Sequence, residues 1–332
     1  MRALVYTGPE SLEMRNVPDA EPATDELLVR VEAVGICGSD MHAYLGHDER
    51  RPAPLILGHE AAGSIVQGPR TGERVTVNPL VACGVCRACI EGRANLCPDR
   101  QIISMPPREG AFATHLAIPA RNVVTVPEHV SSVKASLAEP MACGWHAVGL
   151  AERILQRSLS SSACLVLGGG AIGLGAALVL ESRGAGEIWI AETNSERRST
   201  VSGAGNFRVF DPAEPGSGPK GGAIDLVVDA VGIEATRASA SAAAKPGGVI
   251  VHIGLGQATG GLDIRRMTLQ EITFIGTYTY TPTDFRDTAH AIFDGRLGAL
   301  DWAEERPLED GPGAFAEIHA GRVGAPKTIL RP

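Results

Sequence analysis

Apolar and polar residues alternate over short stretches in the first part of the chain. The alternation is clear in residues 27–33 and looser in residues 60–67. A period of two residues is typical of strands that bury one face. We therefore predict an antiparallel or barrel-like region from Met1 to about Val77. Prolines then break any long element in the middle of the chain, at Pro79, Pro98, Pro106, Pro107, Pro119 and Pro127.

The pattern changes after Pro140, where short apolar runs alternate with segments of helical periodicity. Helices are predicted over residues 141–152 and 171–182. Buried strands are predicted over residues 163–167, 187–191, 224–230, 248–253 and 272–278. Such alternation predicts a parallel sheet covered by helices. Residues 211–222 are rich in Pro and Gly, so one crossover is expected to lack a full helix, and the tail to Pro332 is expected to return to the first region.

The composition describes a folded protein that acts on small molecules. A chain of 332 residues is long enough for two cores, and 40 glycines indicate many tight turns. The net charge is −8 and no basic block is present, which argues against nucleic acid as the partner. The N-terminus lacks the apolar core of a signal peptide, and no run of 18 apolar residues could cross a bilayer. We therefore expect a cytoplasmic protein with no membrane contact.

Three glycines follow the strand predicted over residues 163–167. Gly168, Gly170 and Gly173 form G-x-G-x-x-G directly before a predicted helix. The first glycine allows a tight turn, the second lets a pyrophosphate approach the backbone, and the third allows the helix to pack closely on the strand. The helix N-terminus then offers unpaired N–H groups to an anion. This context predicts a dinucleotide site, and a glycine-rich turn without a ligand is the alternative.

An acidic residue at the end of the next strand favours NAD over NADP. Glu192 lies 19 residues beyond Gly173, where a carboxylate can accept both hydroxyls of the adenosine ribose. The same carboxylate would repel a 2′-phosphate. Arg197 and Arg198 lie nearby and leave NADP open.

Four of the seven cysteines form C-x2-C-x2-C-x7-C in a loop rich in Gly. They are Cys83, Cys86, Cys89 and Cys97. Four thiolates can close a tetrahedron around Zn²⁺, and such a closed site stabilises a loop with little core of its own. An iron–sulfur cluster and disulfide pairing are the alternatives, and a reducing compartment favours zinc.

A second set of metal-ligating residues precedes this loop. Cys37 stands in the segment G-I-C-G-S-D, and His59 and Glu60 follow 22 residues later in G-H-E. Each fragment is weak by itself, because a lone Cys is most often a small buried hydrophobe. The two fragments gain weight from the nucleotide motif.

Taken together, these motifs resemble the zinc-containing medium-chain alcohol dehydrogenases over nearly the whole chain. The resemblance implies a mostly β, GroES-like catalytic domain and a Rossmann domain with a doubly wound parallel sheet. It places the catalytic domain at residues 1–140 and 281–332, with a zinc lobe at about 80–100, and the Rossmann domain at 141–280. It also implies two Zn²⁺ per chain, NAD, and assembly as a homodimer or homotetramer.

Within the resemblance, Cys37, His59 and a glutamate hold a catalytic zinc. The pair Glu139-Pro140 is similar to the sorbitol, idonate and polyol-phosphate dehydrogenase branch, and it favours Glu139 over Cys143 at this zinc. Whether Glu60 or Glu139 binds the zinc directly is left open. The other carboxylate would contact a ligand of the zinc rather than the zinc itself.

The resemblance also assigns proton transfer and cofactor contacts. Ser39 matches a relay hydroxyl, His42 a solvent-side acid/base, and Asp40 a residue that orients His59. The matched cofactor contacts are Gly168, Gly170, Ile172, Gly173, Glu192, Arg197, Ile253, Gly254 and Leu255.

The implied function is transfer of a hydride from a secondary alcohol of a polyol-like substrate to NAD. The branch commonly carries Arg-Tyr where this chain has Thr279-Tyr280, which puts sorbitol itself in doubt. Phe112 is expected in the substrate cleft or, equally, in the core. The alternatives are an NADPH-linked carbonyl reductase, a general secondary alcohol dehydrogenase, and a non-catalytic sensor of zinc and nucleotide.

Overall fold

The computed structural model describes residues 1–332, which form eighteen strands and ten α-helices. The strands are β1 (Arg2–Gly8), β2 (Ser11–Asn16), β3 (Glu26–Gly35), β4 (Leu55–Ile56), β5 (Glu60–Gln67), β6 (Arg74–Val77), β7 (Leu80–Val81), β8 (Gln101–Ile102), β9 (His115–Pro119), β10 (Val123–Thr125), β11 (Ala163–Leu167), β12 (Glu187–Ala191), β13 (Arg208–Phe210), β14 (Ile224–Asp229), β15 (Ala244–His252), β16 (Thr273–Gly276), β17 (Ala303–Pro307) and β18 (Lys327–Arg331). The helices are α1 (Gly38–Tyr44), α2 (Arg87–Ile90), α3 (Ser132–Ser136), α4 (Ala138–Glu152), α5 (Ala171–Ser182), α6 (Ser195–Ala204), α7 (Glu234–Ala243), α8 (Ile264–Leu269), α9 (Pro282–Phe293) and α10 (Gly311–His319).

The N-terminal strands form a mostly antiparallel sheet of seven strands. Its order is β10-β6-β5-β3-β18-β17, and β9 also pairs with β3. Apolar residues of β3 alternate inward, which explains why the two-residue period was visible in the sequence. The C-terminal strand β18 returns to this sheet, where Ile329 pairs with Gly35. The last strand of the chain therefore lies beside the segment that leads to Cys37.

The second sheet has six strands, all parallel, in the order β13-β12-β11-β14-β15-β16. This is the doubly wound order 3-2-1-4-5-6, and it confirms the predicted fold class. No α-helix separates β13 from β14, as the Pro- and Gly-rich residues 211–222 indicated. The order reverses between β11 and β14, so a crevice opens at the carboxyl ends of these strands.

Several predicted elements have different ends in the structure, among them the strands predicted over residues 224–230 and 248–253, which are Ile224–Asp229 and Ala244–His252. The helix predicted from residue 141 begins at Ala138, because Pro140 lies in its first turn, where a missing N–H costs nothing. The strand predicted over residues 272–278 is only Thr273–Gly276. The earlier start of the helix matters for the site, because it places Glu139 on the first turn of α4.

Phe112 lies in the core rather than in the cleft. Its side chain is fully buried, and its ring meets the ring of Phe315 edge-on at 5.8 Å between centroids. Gly58 allows this packing, because a Cβ there would come within 2.6 Å of the Phe112 ring. The core alternative is therefore the correct one, and Phe112 supports the turn that carries His59.

Candidate active site

Three potential metal ligands meet beside the N-terminus of α1. The ligand atoms of Cys37, His59 and Glu60 all lie within 4.8 Å of one another. Cys37 precedes α1, whereas His59 and Glu60 stand at the start of β5, which pairs with β3. His59 and Glu60 are buried, and Cys37 is half-buried. Thiolate, imidazole and carboxylate are the donor types that catalytic zinc sites use.

Asp40 ties these residues to one another. Its carboxylate accepts hydrogen bonds from the backbone N–H groups of Cys37, at 3.0 Å, and Gly58, at 3.1 Å. It also lies 3.5 Å from Nδ1 of His59, while the hydroxyl of Ser104 lies 3.4 Å from the same nitrogen. A partner on Nδ1 leaves Nε2 to face a metal.

Glu60 carries a buried oxygen that no protein group satisfies. Nζ of Lys327 donates to Oε1 of Glu60 at 2.6 Å and to the carbonyl of Ile36 at 2.8 Å. Oε2 of Glu60 is buried and has no hydrogen-bond partner. Leaving such an oxygen unpaired is costly, and a cation between Cys37 and His59 would satisfy it. Sequence reasoning missed Lys327, which lies on β18, 267 residues from Glu60.

Glu139 lies outside this group and has a different partner. The hydroxyl of Tyr280 donates to Oε1 of Glu139 at 2.7 Å, and both side chains are buried. Burial raises the pKa of the Glu139 carboxyl to about 7. The sequence singled out Tyr280 only through the pair Thr279-Tyr280, which stands where the polyol branch commonly has Arg-Tyr. Its contact with Glu139 spans 141 residues and has no local signal.

Cys143 follows Glu139 by one helical turn of α4. Burial raises the pKa of its thiol well above the usual value. It does not belong to either group of metal-ligating atoms in the structure.

The four cysteines of the loop form a second group. The ligand sulfurs of Cys83, Cys86, Cys89 and Cys97 lie within 4.8 Å of one another, and no disulfide is present. Sγ of Cys89 is 3.5 Å from that of Cys86 and 4.0 Å from that of Cys83. A tetrahedron with Zn–S bonds of about 2.3 Å has edges of about 3.8 Å, so the four sulfurs fit zinc. The regular elements of this loop are short: α2, one turn of 3-10 helix at Ala94–Leu96, and the two-residue strands β7 and β8.

Two thiols of this group, those of Cys83 and Cys89, have pKa values shifted in opposite directions. Backbone N–H groups of Val85 and Cys86 lower the pKa of the Cys83 thiol to about 7. Burial, followed by the neighbouring thiol of Cys86, raises the pKa of Cys89 to about 12. A divalent cation bound by the four sulfurs would favour the thiolate over the thiol at this site.

The glycine-rich turn has the geometry that the motif predicts. Gly168 has φ +97°, which favours glycine. A Cβ on Gly173 would come within 1.8 Å of the Gly168 carbonyl oxygen, so only glycine allows α5 to approach β11. A Cβ on Gly170 would meet no atom within 4 Å, because this residue faces an open cavity. The cavity leaves room for a phosphate group against the N-terminus of α5.

Glu192 stands at the end of β12 beside this turn. Its carboxylate accepts hydrogen bonds from the N–H groups of Gly169, at 2.9 Å, and Asn194, at 2.8 Å. Arg197 lies 3.7 Å from the same carboxylate and donates to the carbonyl of Val323. Arg198 forms an ion pair with Asp211 at 2.9 Å.

One cavity of about 630 Å³ joins the nucleotide turn to the first metal group. Among the predicted residues, its lining includes Cys37, Gly168, Gly170, Ile172, Gly173, Glu192 and Arg197. Sequence reasoning missed Val231, Ile233, Thr236 and Lys327, which also line it. Of the predicted contacts after β15, Gly254 and Leu255 line a neighbouring cavity instead, and Ile253 lines neither.

The residues expected to move a proton lie on α1. Ser39 and His42 are half-buried, so both side chains are partly accessible to solvent. The Ser39 hydroxyl is 3.5 Å from the guanidinium of Arg51. This guanidinium is buried and donates to the carbonyl of Ser104.

No helix of the chain combines the length and the hydropathy that crossing a membrane requires.

Two family models match the chain. The model described as "Alcohol dehydrogenase GroES-like domain" matches residues 23–128, and that described as "Zinc-binding dehydrogenase" matches residues 171–294. The two ranges contain, respectively, both candidate metal groups and most of the parallel sheet.

Individual proteins match the chain along most of its length. A sorbitol dehydrogenase of Bacillus subtilis is 33% identical, over 93% of this chain and 94% of that protein. An oxidoreductase of unknown specificity from Escherichia coli has a crystal structure that superimposes with a TM-score of 0.89 at 27% identity, covering 99% of this chain and 98% of that one. A zinc-binding dehydrogenase structure from Sinorhizobium meliloti, bound to NADP, gives a TM-score of 0.87 at 27% identity, covering 100% and 99%.

Proposed function

The chain belongs to the zinc-containing medium-chain alcohol dehydrogenases, and on that basis we propose that it oxidises a secondary hydroxyl of a polyol-like substrate with NAD. The main support for this reaction is that Cys37, the glycine-rich turn and Glu192 line one and the same cavity. A nicotinamide ring and a metal-bound substrate can meet only where such a cavity connects their sites. We assign residues 1–140 and 281–332 to the catalytic domain and 141–280 to the Rossmann domain, with the cleft between them.

For the catalytic zinc we propose Cys37, His59 and Glu60 as protein ligands. The free Oε2 of buried Glu60 supports this assignment over Glu139, whose carboxylate already accepts a hydrogen bond from Tyr280. Zinc bound there would act as a Lewis acid that lowers the pKa of the substrate hydroxyl. Glu139 would help to orient the substrate hydroxyl. The four cysteines, with no position left for water, would hold the second zinc in a structural role.

The chain's own residues provide a route for the proton. Asp40 keeps His59 in a fixed orientation through Nδ1. Ser39 would accept the proton that leaves the substrate, and His42 would pass it to water. The half-buried positions of both residues on α1 support this order.

The surroundings of Glu192 support NAD. Its carboxylate is held by two backbone N–H groups, so it cannot easily turn away from a ribose. Arg198 is engaged by Asp211, and Arg197 donates to the Val323 carbonyl and lies 3.7 Å from Glu192. The buried Nε of Arg197 has no protein partner and stays available to the cofactor, so the NAD preference rests on the Glu192 carboxylate. Ribose hydroxyls would be accepted where a phosphate would be repelled.

Replacing Glu192 by alanine is expected to raise the KM for NAD about tenfold and to reduce the preference for NAD over NADP by a similar or larger factor. The change removes a charge-assisted hydrogen bond to the ribose and the repulsion of a phosphate. Steady-state kinetics with both cofactors measures the ratio of kcat/KM values. Glu214→Ala, which removes an exposed carboxylate elsewhere, is the control. An unchanged NAD to NADP ratio in Glu192→Ala would refute the assignment.

A substrate screen tests the reaction itself. The name of the B. subtilis relative and the Glu139-Pro140 pair support polyols as the class. Purified enzyme is expected to reduce NAD with polyols faster than with simple secondary alcohols. Faster carbonyl reduction with NADPH would favour a reductase, and tight binding of zinc and nucleotide without turnover would favour a sensor.

We also propose that the protein works as a homodimer or homotetramer in the cytoplasm. Strand β16 is an open edge of the parallel sheet, and the side chains of Leu255, Ile264 and Leu269 are exposed nearby in the chain. Open edges and apolar patches favour association with another chain. Seven free cysteines fit a reducing compartment. Light scattering of the purified protein would test the assembly.

A further inference from the structure

The four-cysteine loop contacts Tyr278, and two residues later Tyr280 contacts Glu139 of the candidate catalytic site. Asn95 lies between Cys89 and Cys97 and is buried, with 4% of its surface exposed. Its side-chain amide donates to the carbonyl of Tyr278 at 2.9 Å, although the two residues are 183 positions apart. A loop whose only task is to bind a structural metal has no need of this contact.

Arg100 holds the same tyrosine from another side. Its guanidinium carbon lies 4.8 Å from the centroid of the Tyr278 ring, and its Nε lies 3.4 Å from the Tyr278 hydroxyl. Another nitrogen of this guanidinium donates to the carbonyl of Cys97 at 2.8 Å. The backbone and the ring of Tyr278 are therefore both attached to the loop that the four thiolates organise.

The residues after Tyr278 carry this constraint to Glu139. Thr279 has φ +49°, a left-handed conformation that a β-branched residue rarely adopts. Such a conformation persists only where the residues around it are firmly held. Tyr278 is held by the loop, and the hydroxyl of Tyr280 is held by Glu139. Thr279 therefore behaves as a short, stiff link between the two tyrosines.

We propose that Asn95 and Arg100 are positioning residues, which hold Tyr278–Tyr280 so that the Tyr280 hydroxyl stays on Glu139. The four-cysteine loop would then set the geometry of the catalytic site as well as stabilise the fold. This inference rests on the proposed function in one respect: Glu139 is taken to orient the substrate hydroxyl beside the catalytic zinc.

A double-mutant cycle separates this role from simple stabilisation. Asn95→Ala, Tyr280→Phe and the double variant are compared in kcat and in KM for the alcohol. Each single change is expected to lower kcat about tenfold, because each releases Glu139 from the same hydrogen bond. The double variant is expected to lose only about ten- to twentyfold, since sites that act through one contact are not additive. Independent sites would give a loss of about a hundredfold.

Two further measurements test whether Asn95→Ala damages the zinc loop. Zinc content should remain two per chain in Asn95→Ala, and the absorption spectrum of Co²⁺ at the Cys37 site should change in the same way in Asn95→Ala and Tyr280→Phe. Arg100→Ala, which leaves the buried amide in place, is expected to lower kcat about threefold. Arg87→Ala, a matched change on the exposed side of the loop, is expected to leave kcat and the spectrum unchanged.

The outcomes are distinct. Normal kcat in both Asn95→Ala and Arg100→Ala, or multiplicative losses in the double variant, would overturn the positioning role. The proposed function would survive that result if Cys37→Ser still abolished turnover. If Cys37→Ser stayed active, the proposed function would fail instead.

Discussion

Changing Cys37 to serine is expected to remove the catalytic zinc and to lower kcat by at least about a thousandfold. A neutral hydroxyl is a far weaker zinc ligand than a thiolate, and it leaves only His59 and Glu60. A Lewis acid contributes several kcal/mol to the stabilisation of developing negative charge, and each 1.36 kcal/mol is about a factor of ten in rate. Zinc analysis should show about one ion per chain, and assays at saturating substrate give kcat.

Cys143→Ser is the matched control for this experiment. Cys143 is also half-buried and lies on α4 near Glu139, yet it belongs to neither group of metal-ligating atoms. We expect it to keep two zinc ions and kcat within about threefold of the parent. Loss of one zinc from this control would show that Cys143, rather than a glutamate, completes the site. Near-normal turnover with full zinc in Cys37→Ser would exclude the proposed catalytic centre altogether.

Changing Cys97 to serine is expected to empty the four-cysteine loop and to destabilise the protein by about 3 to 5 kcal/mol. Cys97 is the one fully buried member of the group. The loop has little core of its own, and its large apolar side chains Val85 and Ile90 are mostly exposed. In a chain of this size such a loss lowers the melting temperature by about 4 to 7 °C. Thermal unfolding followed by circular dichroism, together with zinc analysis, measures both effects.

Ile90→Ala provides the comparison for the loop. This side chain is 77% exposed, so its truncation should change the melting temperature by about 1 °C or less and leave two zinc ions. A Cys97→Ser protein that kept both zinc ions and its melting temperature would mean that the four sulfurs do not bind a metal.

The parallel sheet could be predicted from sequence because its strands carry a strong local signal. Residues 163–167 and 187–191 are short apolar runs, and their ends in the structure are those predicted. The predicted start of α4 at residue 141 was wrong, because Pro140 indicated a helix break. Proline is compatible with a first helical turn, and the helix begins at Ala138. The cysteine spacing and G-x-G-x-x-G were visible for the same reason, since their residues are close in the chain.

The partners of the site residues could not be predicted in this way. Lys327 on Glu60, Tyr280 on Glu139 and Asn95 on Tyr278 each connect parts of the chain more than 140 residues apart. No period or spacing specifies such a contact, because it arises only when the two sheets and the cysteine loop have packed together. The resemblance indicated the ligands and the cofactor motif, whereas the structure shows the residues that hold them.

The pairing of β18 with β3 affects how a newly made molecule becomes competent. Lys327, which neutralises Glu60, emerges from the ribosome 267 residues after it. Until then a growing chain contains Cys37, His59 and Glu60 without the ammonium group that balances their negative charge. We therefore expect the metal centre to become organised only after Lys327 has been translated, so that a chain that stops short of this lysine lacks an organised centre.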